Sequence, residues 1–369
     1  MADPSAARLP EELATVAAVF SQVRHEHAPA SHLGLPGRAL TGLANQLAFR
    51  RHVRALVAEA VALGERHGAE AVWAILDAPT SIAMAEPVAR TLGKPLIALV
   101  WDDAAHLAQS LGLDRLATST MLRHTARALK SADRCAVIGA TMQRRYAEEH
   151  GTRSVILRHG LASSALQPLR AHDNGESVFS IGFAGTMNAP CAFNALLAAL
   201  ESCDWQIAGR AIELRLVGPR FDMRTNKPAL FRSYGWRSVS DTIRILAGCD
   251  ATYLPQPFGE DRRTMAELSF PTKLTTYLAT GRPILLHAPP YASLPQYHQK
   301  QPLGLLCGSI EPAAIVAALE QLIFDSGLYA SAAEHARQAY RRDFTEERFR
   351  GSFAELLGTT PASFSGVSA

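Results

Sequence analysis

The chain of 369 residues is long enough for two domains, each with its own hydrophobic core. Hydrophobic residues make up 48% of it and the mean hydropathy is +0.01, which is typical of a soluble globular protein. The net charge of +3 is too small to indicate nucleic-acid binding by itself, and no apolar run is long enough to span a bilayer.

Cysteine spacing and the N-terminal sequence indicate a cytoplasmic protein. The cysteines are odd in number, scattered and without a CxxC pair; they are Cys135, Cys191, Cys203, Cys249 and Cys307. This pattern argues against a disulfide framework or a zinc site. The N-terminus also lacks the charged and then apolar pattern of a signal peptide. A reducing cytoplasm is therefore the expected location.

Basic residues are concentrated in the N-terminal half of the chain. Residues 1–170 contain 19 Lys and Arg against 15 Asp and Glu, whereas residues 171–369 contain 18 against 19. This excess suits an anionic acceptor or a membrane surface, and the cluster of Arg50, Arg51 and Arg54 could face anionic lipid. A solvated helix face explains the same cluster more simply.

The first half of the chain alternates between short apolar runs and helical patterns. Strands are predicted over 71–77, 95–101, 134–139 and 154–158, the first two as buried strands, and helices over 81–92, 118–132 and 142–150. The alternation indicates a parallel doubly wound sheet. Only a strand over Ala14–Phe20 and a loop over Gly34–Gly37 precede it, so the first βαβ unit looks shortened or missing.

A polar segment, Ser163–Ser177, predicts the linker between two domains. A second series of strands and helices follows from Phe179 to about Asp325, and the amphipathic segment Thr345–Leu357 comes after it. We therefore predict an N-terminal domain over residues 1–170 and a C-terminal domain over residues 171–340. A terminal helix is predicted over residues 341–358 and a disordered tail over residues 359–369.

The segment Ser269–Leu286 joins a polar turn, a lysine, an amphipathic helix and a buried strand. Ser269 and Pro271 suit the start of the helix, and Gly281 is placed to end it. Such a helix start directs backbone N–H groups and Lys273 at one point, which favours a phosphate. An ordinary helix-to-strand unit of an α/β sheet explains the same spacing.

An ordered set of segments resembles the C-terminal half of the retaining nucleotide-sugar glycosyltransferases of family 4. The set comprises residues 179–188, 212–220, 234–241, 242–255 and 269–286, in the order and approximate spacing of that family. The resemblance implies the GT-B fold, an α/β architecture of two Rossmann-like doubly wound domains facing each other across a cleft. It also implies that the terminal helix crosses back onto the first domain.

The resemblance further implies an enzyme of bacterial glycan biosynthesis that moves a hexosyl group from a nucleotide-diphosphate donor to an acceptor hydroxyl, with retention of configuration. The acceptor would be a glycan, a lipid-linked molecule or a small molecule. GT-B enzymes generally need no bound metal, so we expect neither a metal nor a cofactor beside the donor. We expect no nucleic-acid partner. Besides the donor and the acceptor, the inner face of an anionic membrane is a candidate for peripheral contact.

Residues that match the family's donor site are Gly185, Thr186, Gly218, Arg220, Trp236, Arg237, Ser269, Pro271, Lys273 and Thr276. Gly182 and Gly185, in the turn predicted over Gly182–Thr186, would let a ligand approach the backbone closely, although a tight turn explains them as well. Trp236 suits the nucleotide base or a core position equally.

The chain departs from the family's donor pattern in two places. Many members carry an Arg and a Lys just after the glycine loop, where this chain has Met187 and Asn188. Lys273 is then the main cation expected at the diphosphate, helped by arginines at positions Arg220, Arg262 or Arg263. Two glutamates that are common in the family are replaced by Leu268 and Thr276, which leaves recognition of the ribose unassigned.

Asp102 and Asp103 follow the predicted strand 95–101, at the end where open α/β sheets bind ligands. The resembling family often has a functional His near this position, and a carboxylate could orient or deprotonate an acceptor hydroxyl. A capping role at a helix that begins near Ala104 is the alternative. The catalytic candidates are therefore Asp102, Asp103 and Lys273, while His159 is expected to be a hinge or structural residue.

Two further functions remain open at this point. The missing glutamates, the missing Arg and Lys pair and the shortened start also fit a catalytically silent GT-B protein that binds a nucleotide or a partner enzyme. A sugar-nucleotide epimerase or hydrolase on the same scaffold is the other alternative, although such enzymes usually have more histidines and carboxylates in the cleft.

Overall fold

The computed structural model describes residues 35–172, 176–219 and 225–360, which form two largely parallel sheets with flanking helices. The elements of the first part are α1 Leu35–Arg66, β1 Val72–Ile75, α2 Pro79–Leu92, β2 Leu96–Val100, α3 Ala104–Ser110, α4 Arg115–Ser131, β3 Arg134–Val137, α5 Ala140–His150 and β4 Ser154–Ile156.

The first sheet has the strand order β1-β2-β3-β4, and every pair is parallel. β2 is buried along its whole length, in agreement with the prediction for its apolar run. β1 was predicted as a buried strand as well, and this was wrong: Trp73 and Ile75 are each 37% exposed. Successive side chains of a strand point to opposite faces of the sheet. On the face of Trp73 the ring of Phe353, with its centroid 5.4 Å away, covers the Trp73 side chain only in part.

The second part of the chain alternates strands and helices in the same way. Its elements are β5 Val178–Ala184, α6 Pro190–Ser202, β6 Gln206–Ile207, β7 Arg210–Val217, β8 Phe231–Ser233, α7 Val239–Ala247, β9 Ala251–Pro255, α8 Arg263–Leu268, α9 Lys273–Ala279, β10 Ile284–His287, α10 Ser293–Lys300, β11 Gly304–Cys307, α11 Pro312–Phe324, α12 Ser326–Asp343 and α13 Glu346–Leu357.

The second sheet has the order β11-β10-β9-β5-β7-β6, with β8 also paired to β7. From β5 the chain moves to β7 on one side and later returns to β9 on the other side of β5. The strand order therefore reverses at β5, and open α/β sheets bind ligands at such a point, beyond the carboxyl ends of the strands. The residues that follow β5 at this edge begin with Gly185.

The last helix crosses back to the first sheet. Helix α12 packs on α9 and α11, whereas α13 packs on β3 and β4. Leu356 of α13 is buried in one apolar cluster with Ile97, Leu99, Ala136 and Leu157 of the first part. Burial of such side chains stabilises the junction of the two parts, at roughly 25 cal/mol for each Å² of apolar surface removed from water.

The corner between α12 and α13 is fastened to the linker that follows β4. The backbone N–H of Leu161 donates to Phe344 O at 3.1 Å, and the N–H of Glu346 donates to Leu161 O at 2.9 Å. Gly160 is required for this approach, because a Cβ on it would lie 2.1 Å from Thr345 O. The linker and the returning chain therefore form one tight contact.

Some sequence predictions concern residues at the edges of the described ranges. The predicted strand Ala14–Phe20 lies outside the described residues, as does tail segment 361–369. The loop predicted over Gly34–Gly37 was wrong for residues 35–37, which belong to the first turn of α1. Pro36 is compatible with this position, because the first turn of a helix does not need its N–H.

Candidate functional site

Three glycines bring the ends of β5, β7 and β8 into close contact. Gly185, Gly218 and Gly235 have φ angles of +88°, +143° and +66°, which side chains with a Cβ rarely adopt. The N–H of Gly185 donates to Val217 O at 2.8 Å, and the N–H of Gly218 donates to Gly235 O at 3.0 Å. A Cβ on Gly218 would lie 3.0 Å from Gly185 O. The edge of the sheet is thus lined by backbone rather than by side chains.

Helix α9 is held against this edge by Tyr277. The Tyr277 hydroxyl accepts a hydrogen bond from the N–H of Ala184 at 2.7 Å and lies 3.3 Å from Ala184 O. Tyr277 is fully buried, and burial raises the pKa of its hydroxyl, so the group stays protonated. One side chain thereby fixes the first turns of α9 to the last residue of β5.

Lys273 opens α9 and lies across Gly185. A Cβ on Gly185 would stand 3.0 Å from Lys273 Cε, and the ammonium group lies 4.4 Å from the ring centroid of Phe183. The ammonium donates to Thr186 O, and no carboxylate of the described ranges forms an ion pair with it. Burial without an anionic partner lowers the pKa of Lys273 to about 8.

These groups surround a cavity of about 270 Å³, which we call the donor cavity. The residues that line it include Gly185, Gly218, His159, Trp236, Arg237, Thr242, Thr272, Lys273, Thr276 and Tyr277. Six residues predicted for a donor site therefore do occur at or beside one cavity, namely Gly185, Gly218, Trp236, Arg237, Lys273 and Thr276, and Thr186 adjoins it through the bond from Lys273.

Trp236 is not a core aromatic, because its side chain is 69% exposed at the mouth of the donor cavity. Large exposed aromatic side chains beside a cavity offer a stacking surface to a planar ligand. Arg237 beside it is also exposed and donates to the backbone O of Trp236 at 2.8 Å. Of the two positions considered for Trp236, the structure therefore excludes the core.

Several residues predicted for the donor lie elsewhere. Ser269 does not cap the start of α9, which begins at Lys273; it ends α8 instead, and its hydroxyl donates to Asp102 Oδ1 at 2.9 Å. Pro271 precedes α9 and accepts a backbone hydrogen bond from Leu274. Neither Ser269 nor Pro271 lines the donor cavity. Arg220 lies outside the described residues.

The other basic and glycine candidates also have different surroundings from those expected. Arg262 and Arg263 do not line the donor cavity, and Arg263 pairs with Glu260 and Glu267 instead. Gly182 is internal to β5, where a Cβ would lie 2.6 Å from a methyl group of Leu246. Its small size serves packing and not the approach of a ligand.

The two adjacent aspartates have different roles. Asp103 accepts a hydrogen bond from the N–H of Ala105 at 2.9 Å, which caps α3, and another from the Tyr146 hydroxyl at 3.1 Å. Asp103 is therefore a structural carboxylate, as its capping alternative predicted. Asp102 instead accepts a hydrogen bond from Ser269 across the cleft, and this bond joins the part of the chain that contains the first sheet to the part that contains the second.

A further contact closes the same side of the cleft, from Gln109 Nε2 to Asp261 O at 3.0 Å. His159, which was expected to be a hinge or structural residue, follows β4 and reaches the donor cavity; burial lowers its pKa, so its ring is neutral at pH 7. The sequence pattern missed this position, together with Thr272, Gly235 and Tyr277. Only Tyr277 had a usable signal, since it follows Lys273 by four residues on one helix face.

Two general findings concern the described residues. Their His, Cys, Asp and Glu side chains form no group of three or more that could hold a metal ion. No single helix among them is long and apolar enough to cross a membrane, and α11 with α12 reaches that length and composition only as a pair bent by 93°.

Comparison by sequence finds no matching family model and no matching curated protein. Comparison by structure finds glycosyltransferases. HepE from Anabaena, solved in complex with UDP, is 15% identical, covers 82% of each chain and has a TM-score of 0.58. Sucrose-phosphate synthase from Thermosynechococcus elongatus is 13% identical, covers 94% of this chain and 84% of its own, and has a TM-score of 0.61.

The trehalose-6-phosphate synthase of Burkholderia multivorans is similar at 12% identity, with 88% of this chain and 78% of its own covered and a TM-score of 0.58. These neighbours are GT-B glycosyltransferases, and at such identities the likeness concerns the fold. The chain therefore has the GT-B fold, and the predicted fold class is confirmed.

Replacing Asp103 with Ala tests the division of roles between the aspartates. The change removes the cap of α3 and the partner of the buried Tyr146 hydroxyl, so we expect the free energy of unfolding to fall by about 1–3 kcal/mol. Asp102→Ala removes one exposed hydrogen bond and should cost clearly less. Urea denaturation followed by circular dichroism measures both, and equal losses would contradict the assignment.

Proposed function

We propose that the protein is a glycosyltransferase that moves a hexosyl group from a nucleotide-diphosphate donor to an acceptor hydroxyl. The observation that carries the proposal is Lys273, a half-buried cation that pairs with no carboxylate of the described residues. It lies over Gly185, at the point where the strand order of the second sheet reverses. Partial burial of an unpaired cation is unfavourable, and a bound diphosphate would offset that cost.

The shape of the donor cavity suits the parts of such a donor. The positive φ and the missing Cβ of Gly185 allow a phosphate to approach the backbone, while Lys273 approaches from α9. Trp236 offers its exposed ring to the base. Thr276, inside the cavity, is the candidate for one hydrogen bond to the ribose. That HepE was solved with UDP supports a uridine donor as the first to test.

In the proposed reaction the bond between the anomeric carbon and the diphosphate oxygen breaks, and a bond from that carbon to the acceptor oxygen forms. Lys273 stabilises the negative charge that develops on the leaving diphosphate. We propose retention of configuration, with a donor phosphate oxygen taking the proton of the acceptor hydroxyl. The departing nucleoside diphosphate carries that proton away, so the step balances without a metal or an added cofactor.

The acceptor side of the proposal follows from one surface of the first domain, which we call the leucine-arginine face. It comprises the exposed α1 residues Leu40, Leu43, Leu47, Arg50, Arg51 and Arg54 and the exposed α4 residues Arg123 and Arg127. The α1 members recur at spacings of three and four and so share one helix face. An apolar stripe with a basic end suits the interface of an anionic membrane.

The charges of this face lie close together. The pKa of His124 is lowered mainly by burial and, in addition, by the positive charges of Arg127, Arg123 and Arg50, which must therefore lie near it. We therefore propose that the protein works in the cytoplasm of a bacterium, peripherally at the inner face of the membrane, on a lipid-linked acceptor. A soluble glycan acceptor would not need the exposed leucines.

Replacing Lys273 with Ala tests the donor site. We expect roughly 10- to 100-fold weaker binding of UDP by isothermal titration calorimetry, because the charge-assisted contact to the diphosphate is lost. Arg262→Ala is the matched control, since this exposed cation does not line the cavity. If UDP, GDP, ADP and TDP all fail to bind the wild type, the donor site is wrong. Binding without transfer to any acceptor would favour the silent GT-B protein, and donor breakdown without acceptor would favour a hydrolase or epimerase.

The pH dependence of nucleotide binding gives a second test. Burial lowers the pKa of Lys273 to about 8, so the free protein holds the cation below that pH and loses it above. Affinity for UDP should be constant near pH 7 and fall above about pH 8, by up to about tenfold per pH unit. Lys273→Arg keeps its charge throughout and should show no such fall. A pH-independent wild type would contradict the role of Lys273.

The leucine-arginine face is tested by sedimentation with vesicles. Wild-type protein should sediment with vesicles of phosphatidylcholine and phosphatidylglycerol and not with phosphatidylcholine alone, because both apolar and charge contacts are needed. Leu43→Glu combined with Leu47→Glu should abolish sedimentation. Phe324→Glu, at another exposed apolar side chain, is the control and should leave it unchanged. Equal behaviour of both variants would refute the membrane proposal.

A further inference from the structure

A second and larger cavity lies where the N-terminal and C-terminal parts of the chain meet helix α13, and we call it the junction cavity. It has a volume of about 730 Å³ and is bounded by the start of α5, the residues after β4, α10 and the corner between α12 and α13. It shares no lining residue with the donor cavity. Its volume is in the ordinary range for small-molecule sites.

The charged lining of the junction cavity is strongly unbalanced. Its charged side chains are Arg144, Arg158, Lys300, Arg342, Asp343 and Arg348. The single carboxylate, on Asp343, already accepts hydrogen bonds from the Tyr297 hydroxyl and from Arg342. Within residues 35–172, 176–219 and 225–360 the other four cations form no ion pair. The cavity therefore has an excess of positive charge that the described chain does not neutralise.

Arg158 is the most constrained of these cations. Its guanidinium carbon lies 3.9 Å from the ring centroid of Phe270 and 5.2 Å from that of Tyr297. Its Nε donates to Ile138 O at 2.9 Å, and its terminal amino groups make no hydrogen bond to the described residues. Burial lowers its pKa to about 10. A guanidinium packed against two aromatic rings, with its terminal amino groups unused, is suited to a planar contact with a phosphate.

The first turn of α5 adds uncharged donors to the same place. This helix of 11 residues begins after Gly139, which has no side chain to cap it, and Ala140 and Thr141 line the junction cavity. The first N–H groups of a helix lack partners within the helix and favour an anion. The helix start and the unpaired guanidinium are independent observations, and both indicate the same kind of ligand.

We propose that the junction cavity binds a small phosphorylated molecule, with its phosphoryl group between Arg158 and the start of α5. Lys300 and Arg348, at the rim, increase the affinity through their charge. The volume leaves room for a sugar attached to the phosphate, and the side chains of Gln296, Gln299, Gln301 and Ser352 offer hydrogen bonds to its hydroxyl groups.

The proposed site is connected to the donor cavity through two short segments. Arg158 lines the junction cavity, and its neighbour His159 lines the donor cavity. Phe270 packs on Arg158, and Lys273 follows Phe270 by three residues along the chain. Because the walls come from both sheets' domains, an occupied junction cavity should change the affinity for the donor, and the donor should change the affinity for the phosphate to the same extent. This last consequence rests on the proposed function; the anion site itself does not.

Isothermal titration calorimetry with two probes, inorganic phosphate and glucose 6-phosphate, tests the site at constant ionic strength. The titrations use Lys273→Ala, in which the donor cavity has lost its cation, so that binding reports on the junction cavity alone. In this protein we expect both probes to bind, the sugar phosphate more tightly. Adding Lys300→Glu with Arg348→Glu should weaken both at least tenfold. Adding Lys130→Glu with Arg153→Glu, the same change of charge at exposed positions outside both cavities, should weaken them less than twofold.

Each other outcome overturns the proposal. If neither probe binds, the cavity is not an anion site. An equal loss in the two charge-reversed proteins means that the probes respond only to net charge. Binding to the wild type that disappears in Lys273→Ala places the anion in the donor cavity instead. Failure of UDP to bind the wild type would remove the proposed function but would leave these results with the sugar phosphate unchanged, so the two failures are distinguishable.

Discussion

The close approach of α9 to the end of β5 is the constraint on which the rest of the site depends. Tyr277 bonds Ala184, and Lys273 passes over Gly185 so closely that a Cβ there would lie 3.0 Å from its Cε. Gly218 packs its backbone on Gly185 from the other side, so three chain segments share one small volume. A phosphate can reach the backbone there only because side chains are absent, and the lysine is partly desolvated by the same packing.

The segment between α8 and α9 connects this edge with the rest of the molecule. Ser269 bonds Asp102 across the cleft, Phe270 stacks on Arg158 at the junction of the domains, and Lys273 faces the donor cavity. Movement of one domain relative to the other would therefore act on the cation at the proposed donor site. The crossing helix α13 and the contact of Leu161 with the α12–α13 corner limit such movement on the opposite side.

The sequence predicted the fold well, because strong local signals specify the strands and helices. Buried runs such as 95–101 and stops such as Gly281 mark elements without help from distant residues. The site was predicted less completely. Lys273 and Gly185 could be chosen from their elements, but the bond from Ser269 to Asp102 joins residues 167 positions apart, and no local pattern specifies it. Trp236 was ambiguous because exposure depends on what the neighbouring loops leave uncovered.

The most direct test of the account is a crystal structure of the protein with UDP. We expect the diphosphate between the backbone of Gly185 and Thr186 and the ammonium group of Lys273, with the base against Trp236. Nucleotide density in another place, with Lys273 still bonded to Thr186 O, would contradict the assignment of the donor cavity.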